Sequence, residues 1–253
     1  MGTELKKHFP KALTPGYTDM DITDRNEVGK YLTSNFDTAD KLIIIHCAAA
    51  TDTKNCEEEP DDCYRTNSIG TFNLAEYVYG MWKFNFDIKL VYISTDHVFD
   101  GKIYEDDCSP IRYVPYNEKS IPNPQGHYAK SKLIGEWFTL ANPDNLVIRT
   151  SFMKDFKLKK AFTDKYWSGL WVEEVAKLIA KAVKMDLKGL YHIAGERKSI
   201  YDFVKTKYPK VKPISLKDNP IGRSGLPYLK DTSLDTTKWK NALKSRRKKH
   251  KSG

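Results

Sequence analysis

Nowhere does the sequence hold the roughly 18 consecutive apolar residues that a membrane-spanning helix needs. Its opening, "MGTELKKHFPKALTPG", has no apolar core of the kind a secretory signal carries. Cysteine is scarce. Cys47, Cys56, Cys63 and Cys108 form no C-x-x-C and have no histidine at metal-ligand spacing, so they read as free thiols of a reducing compartment and suggest no metal site. There is no internal repeat, and the one biased segment is the terminal "SRRKKHKSG". There Arg246, Arg247, Lys248, Lys249 and Lys251, with no acid beside them, account for five units of the formal net charge of +9. A terminal block of like charge reads as a solvated, disordered tail over residues 245–253. The remaining chain is only mildly basic and has no nucleic-acid-binding motif, so any nucleic-acid contact is confined to that tail. Together these absences point to a cytoplasmic protein without a membrane partner.

What the chain does contain suits a packed core: 253 residues, 40% hydrophobic and 12% aromatic, enough for one sizeable domain with a smaller lobe. "TELKKHF" and "DITDRNEVGKYLTSNF" read as helices, the second capped by Thr23 or Asp24. "KLIIIHCAA" is a continuous apolar, β-branched run suited to a strand buried on both faces. A long helix over "DDCYRTNSIGTFNLAEYVYGMW" follows, then a strand over "DIKLVYISTD", a helix over "HYAKSKLIGEWFTLA" and a strand over "NLVIRTS". This alternation predicts right-handed crossovers and an open, doubly wound parallel α/β sheet. Beyond Ser151 come a helix in "SGLWVEEVAKLIAKAV", a short strand in "GLYHIAG" and a helix in "SIYDFVKTKY" with Ser199 near its cap. The Pro- and Gly-rich "VKPISLKDNPIGRSGLPYLKDTSLD" then suits a loop-built ligand lobe.

Open parallel sheets bind ligands beyond the carboxyl ends of their strands. At those ends stand the small residues Ala48, Ala49 and Ala50, the polar run Ser94, Thr95 and Asp96, and the "RTSF" that closes the next strand. The intervening helix opens with Tyr128 and Lys132, four positions apart and therefore on one face. Spacing alone leaves two readings open: a catalytic pair, or two polar residues on the outside of a helix.

The motifs "DMDITD", "HCAAATDTKNCEEEPDDCYRTNSIGTFNLA", "YISTDHVFDG", "YAKSKLIGE", "VIRTSF" and "LPYLKDTSLD" run in one order along nearly the whole chain. In that order the sequence resembles the extended branch of the short-chain dehydrogenase/reductase superfamily, and within it the dTDP-4-dehydrorhamnose reductases. The resemblance implies a Rossmann-like cofactor domain over 1–150, and a smaller substrate-binding lobe over 151–244 with elements folding back on the sheet. It implies hydride transfer from NADPH (or NADH) to the C4 ketone of a nucleotide-linked 4-keto-6-deoxy sugar, a step of dTDP-rhamnose biosynthesis. Tyr128 takes the general-acid position, Lys132 the position that stabilises the phenolate and holds the cofactor ribose, and Thr95 the hydroxyl that polarises the carbonyl. By the same matching Gly2, Asp21, Ile22, Ala48, Ala49, Ala50, Asn67, Thr150 and Ser151 fall at the cofactor, and Thr95, Asp96, His97 and Phe152 at the sugar. A homodimer is left open. So are two other readings: a non-catalytic binding or regulatory subunit, and a nucleotide-sugar epimerase or dehydratase of the same branch.

The chain departs from the resemblance in three places. The family's first apolar strand and its G-x-x-G-x-x-G turn have no counterpart, and Gly2 matches only the last of those glycines. A start site placed late is preferred here to a shortened chain or to divergence from cofactor binding. His97 stands where a second tyrosine is usual, and "SFMKDFKLKKAFTDKYW" is short for the segment that builds the sugar pocket.

Overall fold

In the computed structural model, which describes residues 1–36, 41–102, 114–155 and 157–249, the apolar runs pair side by side in parallel. Leu42–His46 (β1) pairs with Ile88–Thr95 (β2) in the register Leu42↔Ile88. Strand β2 pairs in turn with Leu146–Thr150 (β3), with Thr95 opposite Thr150. Short paired segments follow: Phe152–Met153 (β4) lies along Leu170–Trp171 (β7), Lys160–Phe162 (β5) along Lys212–Ile214 (β10), and Tyr166–Trp167 (β6) along Lys198–Ser199 (β9). Gly189–His192 (β8) returns to the main sheet beside β3, giving the order β1-β2-β3-β8.

Every residue of β2 and β3 is buried, because side chains alternating across a pleated strand meet helices on both faces. On one face Ile43, Ile45, Val91, Ile93 and Ile148 pack against Leu5 of Gly2–Lys6 (α1) and against Val172–Lys184 (α7). Helix α7 buries Val172, Val175, Ala176, Ile179 and Val183, the three-and-four spacing of an apolar stripe. On the other face Leu42, Ile44, Ile88 and Leu90 meet Arg25–Asn35 (α2) and Gly70–Lys83 (α5). Asp24 caps α2, its carboxylate accepting from the amides of Asn26 and Glu27. Thr53–Glu58 (α3) and Pro60–Tyr64 (α4) lead through a π-helical turn over Arg65–Ile69 into α5. The long helix read from the sequence thus carries one wide turn. His127–Leu140 (α6) lies on β2, and Ile200–Lys205 (α8) packs beneath β5 and β6.

Two expectations need correction. Strand β1, read as buried on both faces, is partly exposed over Leu42–Ile45, because among the described residues it pairs only with β2 and forms the edge of the sheet. The basic stretch read as a disordered tail is instead helical as far as Lys249, in Thr237–Lys249 (α9). Trp239, 3% exposed, and Leu243 tie this helix to the main core. Residues 250–253 lie outside the described residues.

Candidate active site

The carboxyl end of β2 delivers Ser94, Thr95 and, on the turn after it, Asp96 and His97. Ser94 and Tyr92 share the pleat face that meets α6. The Ser94 hydroxyl donates to Glu136 Oε1 at 2.5 Å, and Arg149 of β3 grips the same carboxylate through Nε and Nη2 at 2.7–3.1 Å. This buried ion pair ties β2, β3 and α6 together below the strand ends. The Thr95 hydroxyl accepts from the His97 amide at 3.2 Å and donates to Asp96 Oδ1 at 3.3 Å. Asp96 is 2% exposed, and its Oδ2 accepts from the Thr232 hydroxyl at 2.5 Å. The late "KDTSLD" motif thereby reaches back across the chain to fix it.

Helix α6 begins beside this turn. Its N-cap, Gly126, has no side chain to offer, so Glu57 of α3 supplies the missing acceptor: Oε1 takes the His127 amide at 2.7 Å. A Cβ on Gly126 would sit 2.6 Å from that oxygen and 2.8 Å from Leu226. Tyr128 follows in the first turn, its ring centroid 6.1 Å from that of His97 in an edge-to-face pair. Burial pushes the Tyr128 phenol well above its ordinary range; the Thr95 hydroxyl opposes this and the Asp96 charge adds to it. The phenol is therefore held protonated at neutral pH. One turn on, Lys132 is 3% exposed, with Nζ 4.0 Å from the centroid of the Tyr92 ring. Burial lowers its ammonium to about 7, with Glu136, Cys47 and Cys63 pulling the other way.

Tyr128 and His97 line a solvent-open cleft together with Thr53, Glu57 and Gln125. The facing wall comes from segments later in the chain: Lys165, Arg223, Leu226 and Tyr228. Sequence reasoning missed these residues and Glu57. Lys165 is half-buried, its Nζ 4.6 Å from the Tyr228 ring centroid, and it has no carboxylate at ion-pairing distance among the described residues. Burial lowers its pKa and Asp96 opposes that. Arg223 is largely exposed and reaches Asp52 at 3.8 Å. Nothing in the periodicity marks Lys165, Arg223, Leu226 or Tyr228, because all four lie on irregular segments.

The remaining expected residues divide. Ala48, Ala49 and Ala50 leave partly open backbone after β1. Gly2 reaches the same place, where its Cβ would lie 3.8 Å from the Cys47 Cβ. The Lys132 charge is felt at Cys47, so small residues and a cation meet at one strand end. That donor set fits the ribose and nicotinamide half of a dinucleotide. Thr150 and Ser151 close β3 beside Thr95, and the Thr150 hydroxyl is buried with no partner among the described residues. Asp21 and Ile22 stand apart at the head of α2. Asp21 accepts from the Thr23 amide at 2.8 Å, which holds its carboxyl below the usual range, and Ile22 packs on Gly70. Asn67 is a clamp rather than an open contact. It is 1% exposed, and its amide exchanges two hydrogen bonds with the Ala50 backbone (2.8 and 3.0 Å) and donates to Ser131 at 3.0 Å. Phe152 packs against the main core and does not line the cleft. No cluster that could hold a metal occurs among the described residues.

The family described as RmlD substrate binding domain matches residues 1–253. A dTDP-4-dehydrorhamnose reductase of Mycolicibacterium smegmatis is 34% identical over 149 residues, covering 58% of this chain and 39% of that protein. A second, of Sinorhizobium fredii, is 27% identical over 244 residues, 82% and 76% of the respective lengths. The methionine adenosyltransferase 2 subunit beta of Xenopus tropicalis is 28% identical over 231 residues, 78% of this chain and 63% of that one. The chain thus spans from about two fifths to about three quarters of the length of these three relatives. Among solved structures, the dTDP-4-dehydrorhamnose reductase of Bacillus anthracis in complex with NADP superposes with a TM-score of 0.73 at 26% identity, over 94% of this chain and 88% of that one.

Proposed function

Because the chain belongs to the RmlD substrate binding domain family, we propose that it reduces the C4 ketone of a nucleotide-linked 4-keto-6-deoxy sugar, as in dTDP-rhamnose biosynthesis. The observation that carries this reading is the placement of Tyr128, which lines the cleft edge-on to His97, one helical turn from the buried Lys132 and beside the strand end that carries Thr95. A reduced nicotinamide, when bound, supplies the hydride. Lys132, Ala48–Ala50 and Thr150 are the residues that would hold its ribose and nicotinamide half.

The protein's own contribution is proton delivery and orientation. Tyr128 lines the cleft and Thr95 ends the strand beside it, so these are the two hydroxyls that would hydrogen-bond the ketone oxygen and polarise it. As negative charge develops there, Tyr128 gives up its proton. The Lys132 ammonium, on the same helix face, stabilises the phenolate left behind. His97 bounds the space beside the phenol edge-on. Lys165 and Arg223 on the opposite wall offer positive charge to the phosphates that link sugar and nucleoside.

One experiment tests the reading. The purified protein is given NADPH and a dTDP- or UDP-linked 4-keto-6-deoxy sugar, and absorbance of the reduced cofactor is followed. Turnover is expected, and Tyr128→Phe is expected to lower kcat by about 10²–10⁴-fold with an unchanged circular-dichroism spectrum. Full activity in Tyr128→Phe would remove the assigned proton donor. A second reading, that of a non-catalytic subunit of a larger assembly, draws on the likeness to the methionine adenosyltransferase subunit. It predicts a folded protein that binds cofactor but oxidises none of it with any of these sugars.

A further inference from the structure

Tyr92 lies in the middle of β2 with no exposed surface, and every part of its side chain is engaged with the helix above. Its hydroxyl donates to the Lys132 carbonyl at 3.2 Å. Its ring carries the Lys132 ammonium 4.0 Å from the centroid, close for a cation over an aromatic face. The helix makes room for it at one position only. A Cβ on Gly135 would stand 2.4 Å from the Tyr92 Oη and 2.7 Å from Cζ, so the bare glycine lets the ring come up against α6.

The charges around Lys132 explain why that ring matters. Glu136 is one turn away on the same helix, but its carboxylate is committed to Arg149 and Ser94. From β1 and the residue after it come His46 and Cys47, and from α4 comes Cys63. His46 is buried and held neutral, its pKa lowered to about 3 by burial. Burial likewise pushes the Cys47 thiol up to about 11. Among the described residues no carboxylate ion-pairs with Lys132. A buried ammonium without a paired anion is costly, and beside the longer-range pull of Glu136 the aromatic face is the partner in direct contact with it.

We propose that Tyr92 is a positioning residue: its ring is the pedestal that holds the Lys132 ammonium in place and charged on the face it shares with Tyr128. The ring acts only through Lys132 and touches neither substrate nor cofactor. The catalytic consequence rests on the reading of Lys132 given above, but the pedestal itself does not.

The test compares Tyr92→Phe, which keeps the ring and loses the hydroxyl, with Tyr92→Leu, which removes the π face. Should Tyr92→Leu not fold, Tyr92→Met takes its place, since it fills much of the same space without an aromatic face. Lys132 is titrated directly by nuclear magnetic resonance of side-chain-labelled lysine, with Lys132→Met identifying its signal. The kcat/KM pH profile is measured in parallel. Without the pedestal the charged form is less stable, so the Lys132 titration is expected to move about one pH unit lower. The basic limb of the activity profile should follow it, with about a tenfold loss just above neutrality. Tyr92→Phe is expected to leave both midpoints in place. An unmoved Lys132 titration in a folded Tyr92→Leu or Tyr92→Met protein overturns the pedestal. A moved titration with an unmoved activity limb instead overturns the catalytic role of Lys132.

Discussion

Replacing Gly135 with alanine adds one methyl group to the middle of α6, where helix propensity alone favours the change by about 1 kcal/mol. The structure opposes it. The new Cβ would lie 2.4 Å from the Tyr92 hydroxyl, 2.7 Å from its ring carbon and 3.1 Å from the Asn67 carbonyl. Neither neighbour can retreat freely. Tyr92 is central in β2 and fixed by its bond to the Lys132 carbonyl, and Asn67 belongs to the π-helical turn and clamps Ala50. Overpacking a closed core costs about 1–3 kcal/mol, and contacts this short belong at the upper end, leaving a net loss of about 2 kcal/mol after the propensity gain. For a chain of this size that is a fall of about 4–8 °C in Tm. Gly29 in α2 is the control, since no atom lies within 4 Å of its would-be Cβ. Gly29→Ala should gain up to about 1 kcal/mol. Urea unfolding with thermal melts measures both variants. A Gly135→Ala protein as stable as the parent would refute the tight Tyr92–α6 contact from which these numbers are worked.

Two further outcomes follow from the site and the core. Lys165→Met removes an unpaired cation from the cleft wall and should raise KM for a nucleotide-linked sugar about tenfold or more, with the salt dependence of KM reduced; unchanged KM and salt dependence would exclude it from phosphate binding. Burial lowers His46 and His192 to about 3 in the folded protein, so below their ordinary pKa of about 6.5 only the unfolded chain takes up these two protons. Between about pH 6 and pH 4 the pair should therefore cost about 2.7 kcal/mol of stability per pH unit. Urea unfolding at several pH values checks this, and resonances showing either imidazole protonated at pH 5 in the folded state would contradict it.

The sheet was largely legible because β2 and β3 are buried on both faces and so read as unbroken apolar runs. The same signal misled at β1. "LIIIH" reports hydrophobicity on each face but not whether both edges find a partner strand. That Thr95, Tyr128 and Lys132 lie close together was legible because they sit on a strand end and the helix that follows it, although their spacing alone left their role open. Lys165, Arg223 and Tyr228 are brought to the cleft by irregular segments later in the chain, and no periodicity announces a loop's destination. Asn67 shows a different limit: its place in the order of motifs was readable, whereas its burial and its clamp on Ala50 depend on packing between α6 and the π-helical turn. In α9, seven basic residues hid the helix, and what fixes it is one buried side chain, Trp239.

The central claim is that this cleft delivers a hydride and a proton to a sugar ketone. NADPH deuterated at the transferring position of the nicotinamide, incubated with the protein and a dTDP-linked 4-keto-6-deoxy sugar, tests it directly by mass spectrometry and nuclear magnetic resonance of the product. Deuterium at C4 of a reduced sugar, absent when Tyr128→Phe replaces the parent protein, is the result expected. A folded, cofactor-binding protein that leaves the ketone intact would contradict it.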